Sequence, residues 1–232
     1  MTCAAQAAVV ITGTRVIYPA ENREVNVRLR NVDARPVLVQ TWLDDGDAAA
    51  APNQIKVPFV LLPAVFRLDP KKGQSLRIMY AGGDMPKDRE SVYWLNVLEI
   101  PPKPEDAESR NMIQLAFRTR IKMFYRPASL QDDPASVRGQ LQWALAFDDK
   151  GQRVLRVENP SPYYVSIGSV SLEAGGRKIP MQPNMAPPFG GVDFVPESGR
   201  IDAAGTGVVS FAVLNDFGTE VSDAAPVAGA AK

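Results

Sequence analysis

Residues 111–126 carry the side chains with the clearest chemical potential in this chain of 232 residues. In an extended strand, alternate side chains point to one face, so large apolar residues two positions apart form a row. The first half of the stretch carries such an apolar row: Ile113, Leu115 and Phe117. The second half carries alternating basic residues: Arg118, Arg120 and Lys122. The pattern fits an ordinary half-buried strand, and it equally fits a strand that offers another chain an apolar row beside an anion site.

The amino-acid composition excludes several kinds of active site. The sequence contains no histidine and a single cysteine, Cys3. A Ser-His-Asp triad, a Cys-His pair, a histidine-bound zinc ion and an intrachain disulfide are therefore impossible. Basic and acidic residues number 26 each, so no net field attracts nucleic acid or an anionic membrane. No apolar run approaches the roughly 18 residues that cross a bilayer, and we expect a soluble protein without direct membrane insertion.

One acidic segment raises a second hypothesis, a metal-dependent enzyme on a β-sandwich. Residues 42–47 read Trp-Leu-Asp-Asp-Gly-Asp, and their carboxylates suit Ca²⁺. The segment lacks the glutamate that follows at the spacing of a calcium-binding loop, and a polar hairpin turn explains the same composition. We therefore expect no metal, no cofactor and no catalysis.

Short alternating segments separated by turn residues run along the chain, which predicts an all-β protein. We interpret Val9 to Tyr18 as the first strand and Asn111 to Tyr125 as the longest. Pro127 ends the first set of strands, because proline has no N–H to donate to a ladder. A second set of strands begins at Leu141.

Within this second set, Asp148 to Gly151 is typical of a hairpin turn. The segment rich in Pro and Gly, 180–199, is expected to be a long irregular connection. The Ala-rich end of the chain is expected to be flexible. The predicted organisation is two β-sandwich domains and a tail, at 7–127, 133–219 and 220–232.

Six short segments agree in sequence and in order with one protein family. Along the chain they are Thr14–Tyr18, Pro63–Leu68, Asp88–Asn96, Glu99–Pro102, Ile121–Pro127 and Glu158–Tyr164. From about residue 9 to Gly218, the chain resembles the periplasmic pilus-assembly chaperones of the chaperone–usher pathway. The connection between Pro102 and Asn111 is short and has no cysteine at either end, which resembles the short-loop branch of the family.

The resemblance implies two immunoglobulin-like β-sandwich domains in an L-shaped, or boomerang, arrangement. It also implies a basic pair that holds the C-terminal carboxylate of a pilus subunit, matched here by Arg15 and Lys122. The chemistry is sensible, because a carboxylate removed from water needs charge-assisted donors. The apolar row of Ile113, Leu115 and Phe117 matches the family's donor strand, which fills the groove of an incomplete subunit.

The resemblance further implies an interdomain ionic set of Glu90, Arg126 and Asp216. The implied function is to bind, fold and cap pilus subunits by donor-strand complementation and to deliver them to an outer-membrane usher. The implied location is the periplasm: Met1–Ala8 fits the end of a secretory signal peptide that is otherwise removed or truncated, and it equally fits an unprocessed start. Because an exposed apolar strand invites self-pairing, we expect a weak self-capping dimer through Asn111–Phe117 when no subunit is bound.

A structural pilus subunit or adhesion module on the same scaffold is the alternative function. The presence of two domains and of Arg15 with Lys122 argues against it. A subunit is also expected to carry a free N-terminal donor extension, and the sequence before Val9 is too short to provide one.

Overall fold

The structure is a computed structural model that describes residues 8–102, 115–130, 133–202 and 207–229. The described residues form two compact units. The first contains those up to Met85 together with Ser91–Arg126, and the second contains Pro86–Glu90 with those from Pro127 onward. Ile113, in the predicted longest strand, lies outside the described residues.

The first unit contains nine strands in the described part of the chain. They are β1 (Val9–Ile11), β2 (Arg15–Pro19), β3 (Glu24–Asn31), β4 (Val37–Asp44), β5 (Phe59–Leu62), β6 (Val65–Leu68), β7 (Gly73–Tyr80), β8 (Ser91–Ile100) and β9 (Phe117–Arg126). They form two sheets with the strand orders β1-β3-β7-β5 and β2-β9-β8-β4-β6. Sequence alternation decides which faces are buried: β3 buries Val27 and Leu29 and exposes Asn26 and Arg28. One hydrophobic core lies between the sheets.

The chain changes sheets near its start, where we predicted a single strand from Val9 to Tyr18. β1 pairs with β3 in one sheet, whereas β2 pairs with β9 in the other. Gly13 lies between them with a φ of +95°, a value that glycine adopts without steric cost. The Thr12 N–H donates to the Arg28 carbonyl at 2.9 Å just before this turn. The prediction of one continuous strand is wrong. β-branched residues lie on both sides of Gly13, so the local sequence pattern is the same whether one strand continues or the chain changes sheets.

The second unit contains a 3-10 helix, Pro134–Gln140, and eight strands in the described part of the chain. The strands are β10 (Gln142–Phe147), β11 (Arg153–Asn159), β12 (Val165–Ala174), β13 (Arg177–Met181), β14 (Asn184–Ala186), β15 (Gly190–Phe194), β16 (Gly207–Leu214) and β17 (Glu220–Ala228). Their order is β13-β12-β16-β17-β10-β11-β15, with β14 beside β12. The Gln182 N–H donates to the Val195 carbonyl and joins the ends of β13 and β15. The sheet therefore closes around its own core.

Two parts of the second unit that we predicted to be irregular are strands. The connection 180–199 contains β14 and β15, and β15 pairs with β11. The predicted flexible tail, 220–232, contains β17, which pairs with β16 and buries Val227. Both predictions relied on Pro, Gly and Ala content, which ladder pairing and packing override. The hairpin turn at Asp148–Gly151 is confirmed, since it connects β10 and β11 with a hydrogen bond from its last N–H to its first carbonyl.

Candidate functional site

Arg15 and Lys122 lie side by side on adjacent strands of the first unit. Arg15 is the first residue of β2, Lys122 is in β9, and the two are direct partners in the parallel ladder. Register partners point to the same face of a sheet. This face is turned away from the core, because the neighbouring β9 residues Met123 and Tyr125 point into the core. The structure therefore brings the two predicted basic residues together.

The positive charges of Arg15 and Lys122 lie close together in partly buried surroundings. Burial and the charge of Arg15 both lower the pKa of Lys122 from its ordinary value. The Arg15 guanidinium lies over the ring of Phe124, 5.8 Å from its centroid, a position that favours a cation. Both basic side chains are half-buried. Two adjacent half-buried cations favour an anion, and their N–H groups can donate charge-assisted hydrogen bonds to one carboxylate.

β2 covers only part of the edge of β9. It pairs with β9 from Lys122 to Arg126. Residues 117–121 have β8 on one side and no strand partner among the described residues on the other. Pairing begins at Lys122 because its partner Arg15 is the first residue of β2, where the chain arrives from the other sheet. The uncovered edge presents backbone groups that can accept another strand.

The predicted apolar row continues the core-facing side of β9 beyond the core. Phe117, the first residue of β9, is half-buried, and Leu115, just before it, is 55% exposed. Both share the parity of Ile121 and Met123, which pack in the core. Ile113 is the next member of the row and lies outside the described residues.

Asp44, in the segment considered for calcium, has a buried carboxylate that is bound within the chain. Arg120 donates from Nε to Oδ2 at 3.0 Å and from Nη2 to Oδ1. Asn96 Nδ2 donates to Oδ2 at 2.7 Å, and the Gly46 N–H donates to Oδ1 at 2.8 Å. Burial raises the pKa of Asp44, but these hydrogen bonds outweigh it and lower the pKa from its ordinary value. Arg120 also lies over the ring of Trp94, 4.6 Å from its centroid.

Sequence reasoning missed this ion pair, because no local pattern links β4 to β9. The described residues contain no group of three acidic or thiol side chains arranged to hold a metal ion. The carboxylate of Asp44 therefore has a structural role that orders Arg120 on the outer face of the sheet.

The residues of the predicted ionic set lie at the ends of elements. Glu90 is buried, and its carboxylate accepts a hydrogen bond from the Tyr164 N–H at 2.9 Å. Arg126 is the last residue of β9, and its carbonyl accepts from the Ala20 N–H at 2.8 Å. Asp216 lies in the turn between β16 and β17. Their joint role stays a prediction.

Comparison with protein families identifies the class to which this two-unit β-protein belongs. Residues 8–131 match the N-terminal domain of the PapD pili and flagellar-assembly chaperones. Residues 136–225 match the C-terminal domain of the PapD pili-assembly chaperones. The chain belongs to the PapD family of pilus-assembly chaperones.

Individual relatives cover almost the whole chain. The probable fimbrial chaperone YadV of Escherichia coli K12 is 47% identical over 213 residues, which are 90% of this chain and 86% of YadV. The chaperone protein FimB/FhaD of Bordetella pertussis is 41% identical over 219 residues, 93% of this chain and 86% of that protein. The crystal structure of YadV matches with a TM-score of 0.80 at 43% identity, covering 95% of this chain and 100% of that chain. A chain in the structure of the Salmonella enterica SafA pilin with the SafB chaperone matches with a TM-score of 0.75 at 29% identity, covering 97% of both.

These comparisons confirm the family resemblance, the fold of two immunoglobulin-like β-sandwich domains and the function as a pilus-assembly chaperone. The alternative, a structural pilus subunit, is not favoured. Family membership indicates a binding role instead of catalysis. Among the described residues, no helix has the length and apolar character needed to cross a membrane.

Proposed function

We propose that this protein is a periplasmic chaperone that completes the fold of a pilus subunit with β9 and delivers it to an outer-membrane usher, without catalysing a reaction. One observation carries the proposal: the edge of β9 that no described strand covers ends at Arg15 and Lys122, where β2 begins. Family membership and the likeness to a chain of the pilin–chaperone structure support the subunit as a partner. Family membership alone supports the usher and the periplasm.

The direction of the strands suits a chain terminus at this position. β2 runs parallel to β9. A second chain that paired in parallel with residues 117–121 would run toward Lys122, and it would meet the start of β2 at Arg15. It could not continue, because β2 occupies the rest of the edge. β2 therefore acts as a stop that places the last residue of the bound strand beside the two cations.

A terminal carboxylate suits the charge at this stop. In the free protein, burial and the charge of Arg15 lower the pKa of Lys122. A bound carboxylate would raise that pKa again, because an opposite charge favours the protonated amine. The guanidinium of Arg15 can offer two parallel N–H donors to the same carboxylate. Subunit binding and the protonation of Lys122 are therefore coupled.

The apolar row would supply the side chains that the subunit lacks. Leu115 and Phe117, with the predicted Ile113, would enter the subunit's groove while the backbone pairs with its open edge, as is established for chaperone–pilin complexes. Each fully buried side chain contributes roughly 1.5–3 kcal/mol before the cost of ordering is subtracted. A shift by one residue would turn the row away from the groove. The carboxylate anchor and the apolar row therefore specify a single register.

Two further roles complete the proposal. Glu90, Arg126 and Asp216 would fix the orientation of the two domains, and exposed members of such a set contribute little to stability. Without a subunit, the apolar row would pair with a second copy of the chain and form a weak dimer.

Coexpression with each subunit encoded in the same gene cluster tests this function. We expect a soluble one-to-one complex with at least one of them in size-exclusion chromatography. Arg15→Ala and Lys122→Ala should each remove most of the complex and leave the unfolding transition near that of the wild type. Arg28→Ala is the matched control, because it removes an exposed cation from the other sheet. Full recovery with both anchor variants would reject the anchor, and no complex with any subunit would reject the function.

A further inference from the structure

Glu99 places a buried carboxylate between the two sheets of the first unit. It lies in β8 and is 6% exposed. Its Oε1 accepts a hydrogen bond from the Ala8 N–H at 2.9 Å, and its Oε2 accepts one from the Val9 N–H at 2.7 Å. Val9 is the first residue of β1, which belongs to the opposite sheet. The carboxylate therefore joins the two sheets.

Glu99 also lies beside the apolar row. It is the register partner of Phe117 in β9 and of Val39 in β4, so the three side chains share one face. Two residues further into the core along β8, Val97 is 2% exposed. Two residues beyond Phe117 in the other direction, Leu115 is 55% exposed. Along β9, therefore, the row changes from buried to exposed side chains at the level of Glu99, whereas in β4 the core continues to Val37.

The carboxylate of Glu99 has a different effect on packing from that of an apolar side chain at the same position. Burying a charged group is unfavourable unless hydrogen bonds satisfy it, and the two N–H groups at the start of β1 provide such bonds. An apolar residue at the same position would extend the core toward Phe117 and draw Leu115 inward. From these contacts we infer that Glu99 is a positioning residue that ends the protein's own core along β9 and keeps Leu115 and Phe117 available to a subunit. The inference rests on the proposed function.

The accessibility of position 115 tests the inference without a subunit. In a Cys3→Ser, Leu115→Cys background the chain has a single thiol, whose reaction rate with a maleimide reports exposure. Glu99→Met should lower this rate about fourfold, the factor that corresponds to burial of one methylene-sized group. Glu99→Gln keeps the size of the side chain but replaces one accepting oxygen with an NH2 group, which cannot accept a hydrogen bond from the start of β1. It should lower the rate in the same direction by a smaller factor.

Val9→Ala is the matched control for simple loosening of β1. It removes buried apolar atoms from β1 and leaves the carboxylate of Glu99 in place. We expect it to lower the unfolding midpoint without changing the labelling rate at position 115. A purely structural tether would instead make Val9→Ala and the Glu99 variants behave alike.

Subunit recovery, measured with Glu99→Met in the native background, completes the test. We expect recovery to fall together with the labelling rate, whereas Val9→Ala retains it. An unchanged labelling rate in Glu99→Met overturns the inference, as does an equal decrease in Val9→Ala. If Glu99→Met does not fold, an unchanged rate in Glu99→Gln has the same meaning. Failure of the wild type to capture any subunit would instead reject the proposed function.

Discussion

Replacing Leu115 with glutamate should prevent subunit capture with little effect on the stability of the free protein. Leu115 is 55% exposed, so less than half of the side chain can contribute to the core. A fully buried leucine contributes roughly 1.5–3 kcal/mol, so the free energy of unfolding should fall by about 1 kcal/mol or less. In the complex, glutamate would place an unpaired charge in the subunit's apolar groove. The burial lost in the complex is the exposed 55% of that range, about 0.8–1.7 kcal/mol. Because the cost of the unpaired charge adds to it, affinity should fall by more than about tenfold.

Met123→Ala is the matched control for the stability measurement. Met123 lies on the same face of β9 and is fully buried, so its truncation should cost about 2–5 kcal/mol while the exposed row stays unchanged. Urea unfolding followed by tryptophan fluorescence gives both free energies, and copurification with the subunit measures capture. If Leu115→Glu were as unstable as Met123→Ala, Leu115 would belong to the protein's own core and the reasoning would be refuted. Unimpaired capture by Leu115→Glu would reject its role as a donor.

Three further predictions concern charged groups and self-association. Asp44→Asn should lower the free energy of unfolding by about 3 kcal/mol, because it leaves a partly buried arginine without its carboxylate, and the exposed Asp45→Asn serves as its control. Because the pKa of Asp44 is lowered in the folded state, its stabilisation should be lost as the pH falls through that pKa, and circular dichroism during acid titration should show no such step in Asp44→Asn. Arg15→Ala should raise the pKa of Lys122 in an NMR titration, and an unchanged pKa would contradict the electrostatic coupling between Arg15 and Lys122. Because this pKa is lowered in the folded state, the protonated amine destabilises the fold at neutral pH. The destabilisation should disappear as the pH rises toward the ordinary pKa of lysine. Without a subunit, sedimentation should detect a concentration-dependent dimer that Leu115→Glu abolishes, and a monomer at every concentration would count against self-capping.

The sequence predicts the faces of β9 well, because side-chain alternation in a strand is a local property. It places Phe117 and Met123 on one side and Lys122 on the other, as the structure does. Alternation could not reveal that Arg15 is the neighbour of Lys122. That pair came from the family resemblance, because the order of strands in a sheet depends on distant segments of the chain.

The same physical limit explains the features that sequence reasoning missed. The bonds from Glu99 to the start of β1 connect residues about 90 positions apart, and no local signal announces them. β17 has the small and mixed residues of a tail, yet pairing with β16 makes it a strand. The turn at Gly13 was concealed by good strand formers on both sides. In each case the deciding partner lies in another element.

Arg120 and Lys122 share a face of β9 and lie two positions apart, yet their surroundings differ. Arg120 is paired with the carboxylate of Asp44. Lys122 has Arg15 as its register partner, and its pKa is lowered. A carboxylate from a bound chain would pair with Lys122, as the carboxylate of Asp44 pairs with Arg120. The sheet thus contains a completed cation–carboxylate pair beside a site at which, in our proposal, the subunit supplies the carboxylate.

The pairing of Arg120 with Asp44 should also prevent the carboxylate of Asp44 from competing with the subunit's carboxylate for Lys122. Asp44 is opposite Trp94 in β8, and Trp94 is opposite Lys122 in β9, so the three lie in one row across the sheet. Arg120→Ala would leave the charge of Asp44 uncompensated in this row, where it would attract Lys122 and repel an incoming carboxylate. Subunit recovery should therefore fall in Arg120→Ala and return in the double variant with Asp44→Asn, in which that charge is absent. If the double variant captured no better than Arg120→Ala, the loss would come from the packing of Arg120 on Trp94, and the electrostatic account of this face would be wrong.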